Sequence, residues 1–304
     1  MMSAAPRILV FGEQGQVAWE LARTLSTLGH VVCAGRSSKA HPVDLADPDA
    51  ICSVIGDLKP RWIVNAAAYT AVDKAEEDEG LAMKINGLAP GVIAEQAAKL
   101  GAALVHYSTD YVFDGEADTP YLETSQANPQ SAYGRTKLAG EQAIEAVDGS
   151  YFIFRTSWVY GARGHNFFRT MLRLMAEREE LGVVSDQLGS PTWSRNIAEA
   201  TAQIISKIND GGDARHSKSG IFHMSCAGTT SWHGFAEAIL DGVRARNMSA
   251  RTALVKPIRT EDYPLPATRP RYSVLSNRKL RDDFQIYMPD WRDALNQVQD
   301  DVAG

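Results

Sequence analysis

The stretch Arg7-Ile-Leu-Val-Phe-Gly-Glu-Gln-Gly-Gln-Val-Ala18 decides the fold of this 304-residue chain. An apolar run stops at Gly12, a turn punctuated by Gly15 follows, and Val17, Leu21, Leu25 and Leu28 then recur at helical spacing. Strand, glycine turn and amphipathic helix in that order make half of a βαβ unit. Val31 to Ala34 supplies the second strand.

The alternation continues through Ile63 to Ala68, a helix ending near Leu100, Ala103 to Ser108, a helix from Ser131, and Phe152 to Ser157. These strands are apolar almost throughout, as a parallel sheet covered on both faces requires. The expected fold class is therefore α/β, a Rossmann-type doubly wound parallel sheet with a smaller α/β substrate-binding domain. Residues 1–157 are read as the dinucleotide-binding domain and 158–304 mainly as the substrate domain, with segments near 177–200 and 242–265 returning to the first. The second half carries a helix over Asn166 to Glu180, a short Val-Val-Ser-Asp186 strand, a helix after Pro191 and a polar stretch from Asp210 to Gly220, read as a surface loop. Then come Ile221 to Ser225, a helix opening at Thr230 and Ser231, and a Pro-rich passage from Pro257 to Pro270.

With 44% hydrophobic and 22% charged residues the chain has the composition of an ordinary globular protein. A net charge of −6 provides no basic field for a phosphate backbone, so nucleic acid is not an expected partner. Cys33, Cys52 and Cys226 are odd in number and contain no CxxC pair, which fits a reducing compartment better than a disulfide framework or a zinc site. Met1 to Pro6 has no signal-peptide character and no run approaches the length of a membrane span, so a cytoplasmic protein without membrane contact is expected.

Gly12, Gly15 and Ala18 stand where a dinucleotide's pyrophosphate meets the free N–H groups of a helix, and small residues there let the backbone approach it. A tight turn in any α/β protein would read similarly; the position within a βαβ pattern favours the phosphate cradle. No acidic residue ends the second strand, where Ala34-Gly-Arg36-Ser-Ser38 stands instead. Arg36 beside two hydroxyls suits a 2′-phosphate, so NADPH is expected over NADH, with NADH still possible. Arg36 as a solvated loop residue stays open. Asp44 and Leu45 border the adenine side.

Ten tyrosines occur, and only Tyr133 has a lysine, Lys137, four positions later. Helical spacing puts the two on one face. A lysine cation stabilises a phenolate whose ordinary pKa is about 10, which makes tyrosine a usable proton donor for an oxygen that gains negative charge during carbonyl reduction. Upstream, Thr109 and Asp110 end the fourth strand, where open α/β sheets place their ligands. The Thr109 hydroxyl suits a substrate carbonyl oxygen, and Thr109 and Asp110 are both taken as substrate contacts.

Glycine turn, strand-end hydroxyl and YxxxK in this order resemble the extended short-chain dehydrogenase/reductase family. Within it the chain is similar to the dTDP-4-dehydrorhamnose reductases along nearly its whole length, in VNAAAYTAVDKAE from Val64, HYSTDYVFDG from His106, YGRTKLAGE from Tyr133, FRTSWVYG from Phe154, NFFRTMLRL from Asn166, DQLGSPT from Asp186 and the later RPRYSVL. The resemblance implies reduction of a nucleotide-sugar 4-keto group by NAD(P)H. It implies Tyr133 as proton donor, Lys137 as its partner and a cofactor-ribose contact, and Thr109 as the residue adjusting proton transfer. It also places Gly15, Gln16 and Val17 at the pyrophosphate, Asp44 and Leu45 at the adenine, Ala68, Tyr69 and Thr70 in the turn after the third strand, and Trp158 at the sugar nucleotide. Some members bind a metal at a subunit interface through acidic side chains. Here the helix after Pro191 and Thr192 begins Trp193-Ser-Arg195, without a carboxylate, so Mg2+ is not carried over.

Related dehydratases carry Thr-Asp-Glu at the strand end, whereas this chain has Tyr111 in place of the Glu base, which favours plain reduction. Two alternatives stay open: a non-catalytic NADP-binding subunit of the kind that regulates methionine adenosyltransferase, and a reductase of another keto-sugar nucleotide. Retention of Thr109, Tyr133 and Lys137 argues for an enzyme.

Arg269 and Arg271 suit a substrate diphosphate, with two surface arginines in a Pro-rich loop as the alternative. Trp158 serves as a stacking surface or as core. Asp186 and Gln187 are read as a structural turn, and His106, His223 and His233 as core or surface residues. The run Glu76 to Glu79 is read as capping the following helix. The oligomer is expected to be a monomer or homodimer.

Overall fold

Alternate residues of the first strand enter different cores, and this divides the molecule into layers. Ile8 and Val10 join Leu21, Leu25, Ile197 and Ile204, whereas Leu9 and Phe11 join Ile51, Ile55, Ile93 and Ile144. The computed structural model describes residues 5–208 and 216–303. Its main strands are β1 (Arg7–Phe11), β2 (His30–Ala34), β3 (Trp62–Asn65), β4 (Ala103–Thr109) and β5 (Ser150–Thr156). Short strands β6 (Val159–Tyr160), β7 (Glu180–Val184), β8 (Leu188–Gly189) and β9 (Thr192–Trp193) follow. Then come β10 (Gly220–His223), β11 (Thr230–Ser231) and β12 (Leu254–Ile258).

Six of them form one sheet in the order β2-β1-β3-β4-β5-β10, with every neighbouring pair parallel. The order reverses between β1 and β3, and there the carboxyl ends of the strands open a crevice. Helices α1 (Gln16–Thr24) and α8 (Ser194–Ile208) cover one face; α2 (Pro48–Leu58), α5 (Ala89–Leu100) and α6 (Ala132–Glu145) cover the other. Between β3 and α5 lie α3 (Val72–Glu77), α4 (Glu79–Met83) and a π-helical turn over Lys84–Leu88. Strand β3 stops at Asn65, three residues short of the apolar run, because Ala66 to Ala68 form the turn beside Gly12. Helix α2, which no motif marks, is capped by Asp47 accepting from the Asp49 and Ala50 amides, with Pro48 in its first turn.

The second half builds its own core from Tyr160, Phe168, Trp193, Phe235, Ile239 and Trp291, among others. It includes α7 (Phe167–Glu177) and the helices Trp232–Ala245 and Trp291–Ala303. Stretches 177–200 and 242–265 contribute β7 and β12, which pair with each other, and 177–200 also carries the start of α8, whose Ile197, Ala198 and Ala200 enter the first core. The segments that join the large sheet's layers are α8 and β10, and β10 gives the backbone groups along the edge of β5 a partner. Of the polar stretch 210–220, positions 210–215 lie outside the described residues. Among the described residues no helix is long and apolar enough to cross a membrane.

Candidate active site

The carboxyl edge of the sheet gathers the expected residues from four strands. Gly12 sits at φ +106°, and a Cβ there would lie 3.0 Å from the Ala66 carbonyl carbon and oxygen and from the Ala67 nitrogen, so the turn accepts only glycine. Gly15 caps α1 in extended conformation with no side chain satisfying the helix N–H groups, which leaves them available to an anion. Gln16 has a further role the sequence did not disclose. Its Nε2 donates to the Val159 carbonyl (3.1 Å) and its Oε1 accepts from Asn166 Nδ2 (3.1 Å), tying the turn to the second half. Val17 packs, half-buried, against the first core. A dinucleotide's phosphates fit this cradle: it has room for a backbone approach and unsatisfied donors.

At the adenosine end, Arg36 is exposed with no hydrogen bond or ion pair among the described residues, and Asp44 is exposed with its carboxylate accepting from the Ala46 amide (3.0 Å). Leu45 is buried in the second core. An acid does stand at this end, supplied by the turn rather than by β2. A Cβ on Gly35 would lie 3.5 Å from the Glu13 nitrogen, and Glu13 Oε2 is buried without a hydrogen-bond partner. Ala68 and Tyr69 are half-buried and Thr70 exposed. Asn86 in the π-helical turn holds this segment: its Oδ1 accepts from the Tyr69 amide (2.8 Å), and its Nδ2 donates to the Tyr69 carbonyl (3.1 Å) and to Thr136 Oγ1 (3.2 Å). A π-turn where the site is built is a recurrent device.

Helix α6 begins with Ser131 accepting from the Gly134 amide at 3.2 Å, and Glu76 accepts from the Ala132 amide at 2.8 Å. Gly134 is required by approach: a Cβ there would collide with the Tyr111 carbonyl at 2.2 Å. The acidic run thus does more than cap its own helix. Asp78 caps α4, whereas Glu76 and Glu79, the latter through Arg135 (2.9 Å), tie to α6. Tyr133, Lys137 and Glu141 follow at four-residue intervals on one face of α6.

Thr109 lies within hydrogen-bonding reach of the Tyr133 phenol. Burial pushes that phenol up to about 12, the Thr109 hydroxyl works against this, and the Asp110 charge adds to it. Asp110 is 2% exposed; burial raises its carboxyl to about 6, with the Ser273 and Thr109 hydroxyls working against this. Thr109 Oγ1 donates to Asp110 Oδ1 (3.1 Å). Tyr111 turns its ring edge-on to Tyr133.

Lys137 is 1% exposed and reaches β4 rather than the phenol: Nζ donates to the Tyr107 carbonyl at 2.6 Å and lies 3.1 Å from His106 Nε2. Burial lowers its ammonium to about 8, with the Glu141 charge opposing. His106 is therefore core by exposure and site by contact, a residue whose part no motif marked. Glu141 accepts from Ser108 and is paired bidentately with Arg155, Nε and Nη2 lying 3.0 Å and 2.6 Å from its oxygens. A buried pair of this kind fixes geometry more than it stabilises.

Trp158 adopts a left-handed backbone (φ +47°), two residues past Thr156, the register partner of Thr109. Its indole stacks on Trp232 with centroids 3.5 Å apart and planes at 6°. Arg269 is committed: it clasps Asp73 of α3 at 3.0 Å and 2.7 Å and donates to the Ala267 carbonyl. Arg271 is exposed and its side chain has no partner among the described residues. Asp186 and Gln187 both bond Thr260. His233 faces the Val255 carbonyl at 3.0 Å, and His223 that of Tyr121 at 3.1 Å.

Arg195 lies between two carboxylates, 3.4 Å from Glu20 and 2.7 Å from Asp301. Among the described residues no group of three or more His, Cys, Asp or Glu is placed to hold a metal ion. A guanidinium between the acids does not fit a resident cation.

Comparison with known proteins agrees with this geometry. The family model for the RmlD substrate binding domain matches residues 6–303. A dTDP-4-dehydrorhamnose reductase of Burkholderia thailandensis is 50% identical over 291 residues, covering 95% of this chain and 96% of the relative. The Escherichia coli K12 protein of the same name is 40% identical over 295 residues, 97% of each chain. Among solved structures, a dTDP-4-dehydrorhamnose reductase of Clostridium acetobutylicum superposes with TM-score 0.87 at 37% identity, over 98% of this chain and all of the other. One from Bacillus anthracis, in complex with NADP, gives 0.86 at 34% identity over 98% and 99%. With the match running through both halves and the strand-end threonine, tyrosine and lysine in place, the chain belongs to the dTDP-4-dehydrorhamnose reductase family.

Proposed function

We propose that this chain reduces the 4-keto group of dTDP-4-dehydro-6-deoxy-L-mannose to dTDP-L-rhamnose with NADPH, NADH serving less well, in the cytoplasm and as a monomer or homodimer. The observation that carries the reading is the Thr109 hydroxyl beside the Tyr133 phenol at the carboxyl end of β4, in a family of this activity. When bound, the nicotinamide supplies the hydride to the carbonyl carbon. Gly12, Gly15 and the open start of α1 would hold its phosphates, and Arg36 would supply the positive charge for its 2′-phosphate. With substrate bound, Thr109 turns its one hydroxyl hydrogen from Asp110 to the substrate oxygen and polarises it; the phenol of Tyr133 releases its proton to that oxygen as charge gathers there. Residues 1–157 chiefly carry the cofactor, and the remainder chiefly the sugar nucleotide through Trp158 and Arg271.

The test is NADPH oxidation by the purified protein with the epimerised dTDP-4-keto sugar generated in situ, beside other dTDP- and GDP-keto sugars. Consumption restricted to the dTDP-4-keto-L-sugar is expected. Tight NADPH binding without consumption of any substrate would overturn the reductase reading in favour of a regulatory subunit.

A further inference from the structure

Asn65 of β3 and His106 of β4 are register partners in the sheet. The Asn65 amide is oriented by a neighbour of fixed character: the Ala67 backbone N–H can only donate, and it reaches Asn65 Oδ1 at 3.3 Å. The opposite end of the amide, Nδ2, lies 3.1 Å from His106 Nδ1. An amide nitrogen has no lone pair to offer, so His106 Nδ1 is the acceptor. Burial holds the His106 imidazole well below its ordinary range, so the ring is neutral and carries one N–H. That proton is on Nε2, the atom 3.1 Å from Lys137 Nζ. An ammonium has three hydrogens and nothing to receive it with; an amine has a lone pair.

We propose that Asn65 and His106 are positioning residues that hold Lys137 as the neutral amine in the unliganded protein: the Asn65 amide selects the Nε2–H tautomer of His106, and that N–H is given to the lone pair of Lys137. The amine then donates to the Tyr107 carbonyl and keeps one N–H unspent. Burial already brings the ammonium down to about 8, and a donor aimed at the amine acts in the same direction. The other charged groups around Lys137 are accounted for. Glu141 pulls the opposite way but is shared with Arg155 of β5 and Ser108 of β4. Tyr133 is a neutral phenol one turn back, and Asp110 stands at the strand end beside it.

What the amine does rests on the reductase reading. After Tyr133 has given its proton to the product oxygen, the phenolate takes one from the Lys137 ammonium; an O–H bond forms, an N–H bond breaks, and a neutral amine is left. The Asn65–His106 pair stabilises that product state, and the amine stays neutral in the emptied site until cofactor and substrate next bind, when it takes a proton from water and leaves hydroxide to the solvent.

The tautomer is read directly by 15N NMR of histidine-labelled, unliganded protein. A pyridine-type Nδ1 and a protonated Nε2 are expected for His106. Asn65→Asp keeps an acceptor for Ala67 but accepts from Nδ1–H, so it moves the proton to Nδ1, turns Nε2 into an acceptor for the ammonium, and shifts the alkaline limb of kcat upward by about one pH unit. A wild-type spectrum with the proton on Nδ1 overturns the proposal, and it does so whether or not the variant folds. A variant that changes tautomer while its pH profile stays in place overturns it equally. A protein that oxidises no NADPH loses the reductase reading, and the spectrum still decides the tautomer.

Discussion

The rings of Tyr111 and Tyr133 meet edge to face, with centroids 5.5 Å apart and planes at 76°. The resemblance sets Tyr111 against the glutamate of related dehydratases, and here the position forms an aromatic wall beside the phenol of Tyr133. A wall of this kind excludes water and raises the phenol, so in the proposed reaction Tyr133 holds its proton until charge develops on the substrate oxygen. Tyr133→Phe keeps the wall and removes the proton. It is expected to lower kcat about 100- to 10,000-fold with NADPH affinity unchanged, measured by turnover beside a fluorescence titration.

Asp110 makes stability depend on pH. Its carboxyl is raised to about 6 by burial, so the folded state keeps a proton that the unfolded chain has already released, and stability falls as pH rises from about 4 to about 6. Asp110→Asn removes this loss. Urea unfolding of the ligand-free protein should show the variant more stable at pH 8 by about 3 kcal/mol, with the gap closing towards pH 4. An equal gap at both ends would contradict the assignment.

Trp158 is pinned between Trp232 and Gly189, where a Cβ would lie 2.5 Å from its ring. Gly189→Ala must displace the indole. The expected outcome is a KM for the sugar nucleotide raised about tenfold, an altered tryptophan fluorescence spectrum and an unchanged KM for NADPH.

The two arginines of the Pro-rich loop should separate. Arg271→Ala, which removes an unpartnered exposed cation, should raise the sugar-nucleotide KM several-fold and leave the melting temperature alone. Arg269→Ala frees Asp73 from its clasp and should act on stability; a double-mutant cycle with Asp73→Asn should return a coupling of about 0.5–1 kcal/mol.

Arg36 is the test of cofactor choice. Arg36→Ala should lower the ratio of kcat/KM for NADPH over NADH about tenfold, chiefly through the NADPH value. A ratio that does not move would return Arg36 to the solvated loop.

What the sequence determined by itself is whatever repeats locally. The apolar runs at β1, β3, β4 and β5 disclosed a two-faced sheet, the glycines at 12 and 15 its tight turn, and the four-residue interval from Tyr133 to Lys137 their common helix face. Each follows from a period of two or 3.6 residues, or from a backbone angle only glycine takes freely. The tertiary structure alone decided which distant side chains meet. His106 stands under Lys137 because β4 is registered against β3 while α6 packs above. Trp232 reaches Trp158, Arg269 reaches Asp73 across 196 positions, and α8, which begins within 177–200, joins the first half's layers together with β10. Periodicity reports that a face is buried and not what covers it, since any apolar face satisfies the same pattern. A polar side chain inside an apolar strand, such as Asn65 or His106, discloses its role only when its partner is in place.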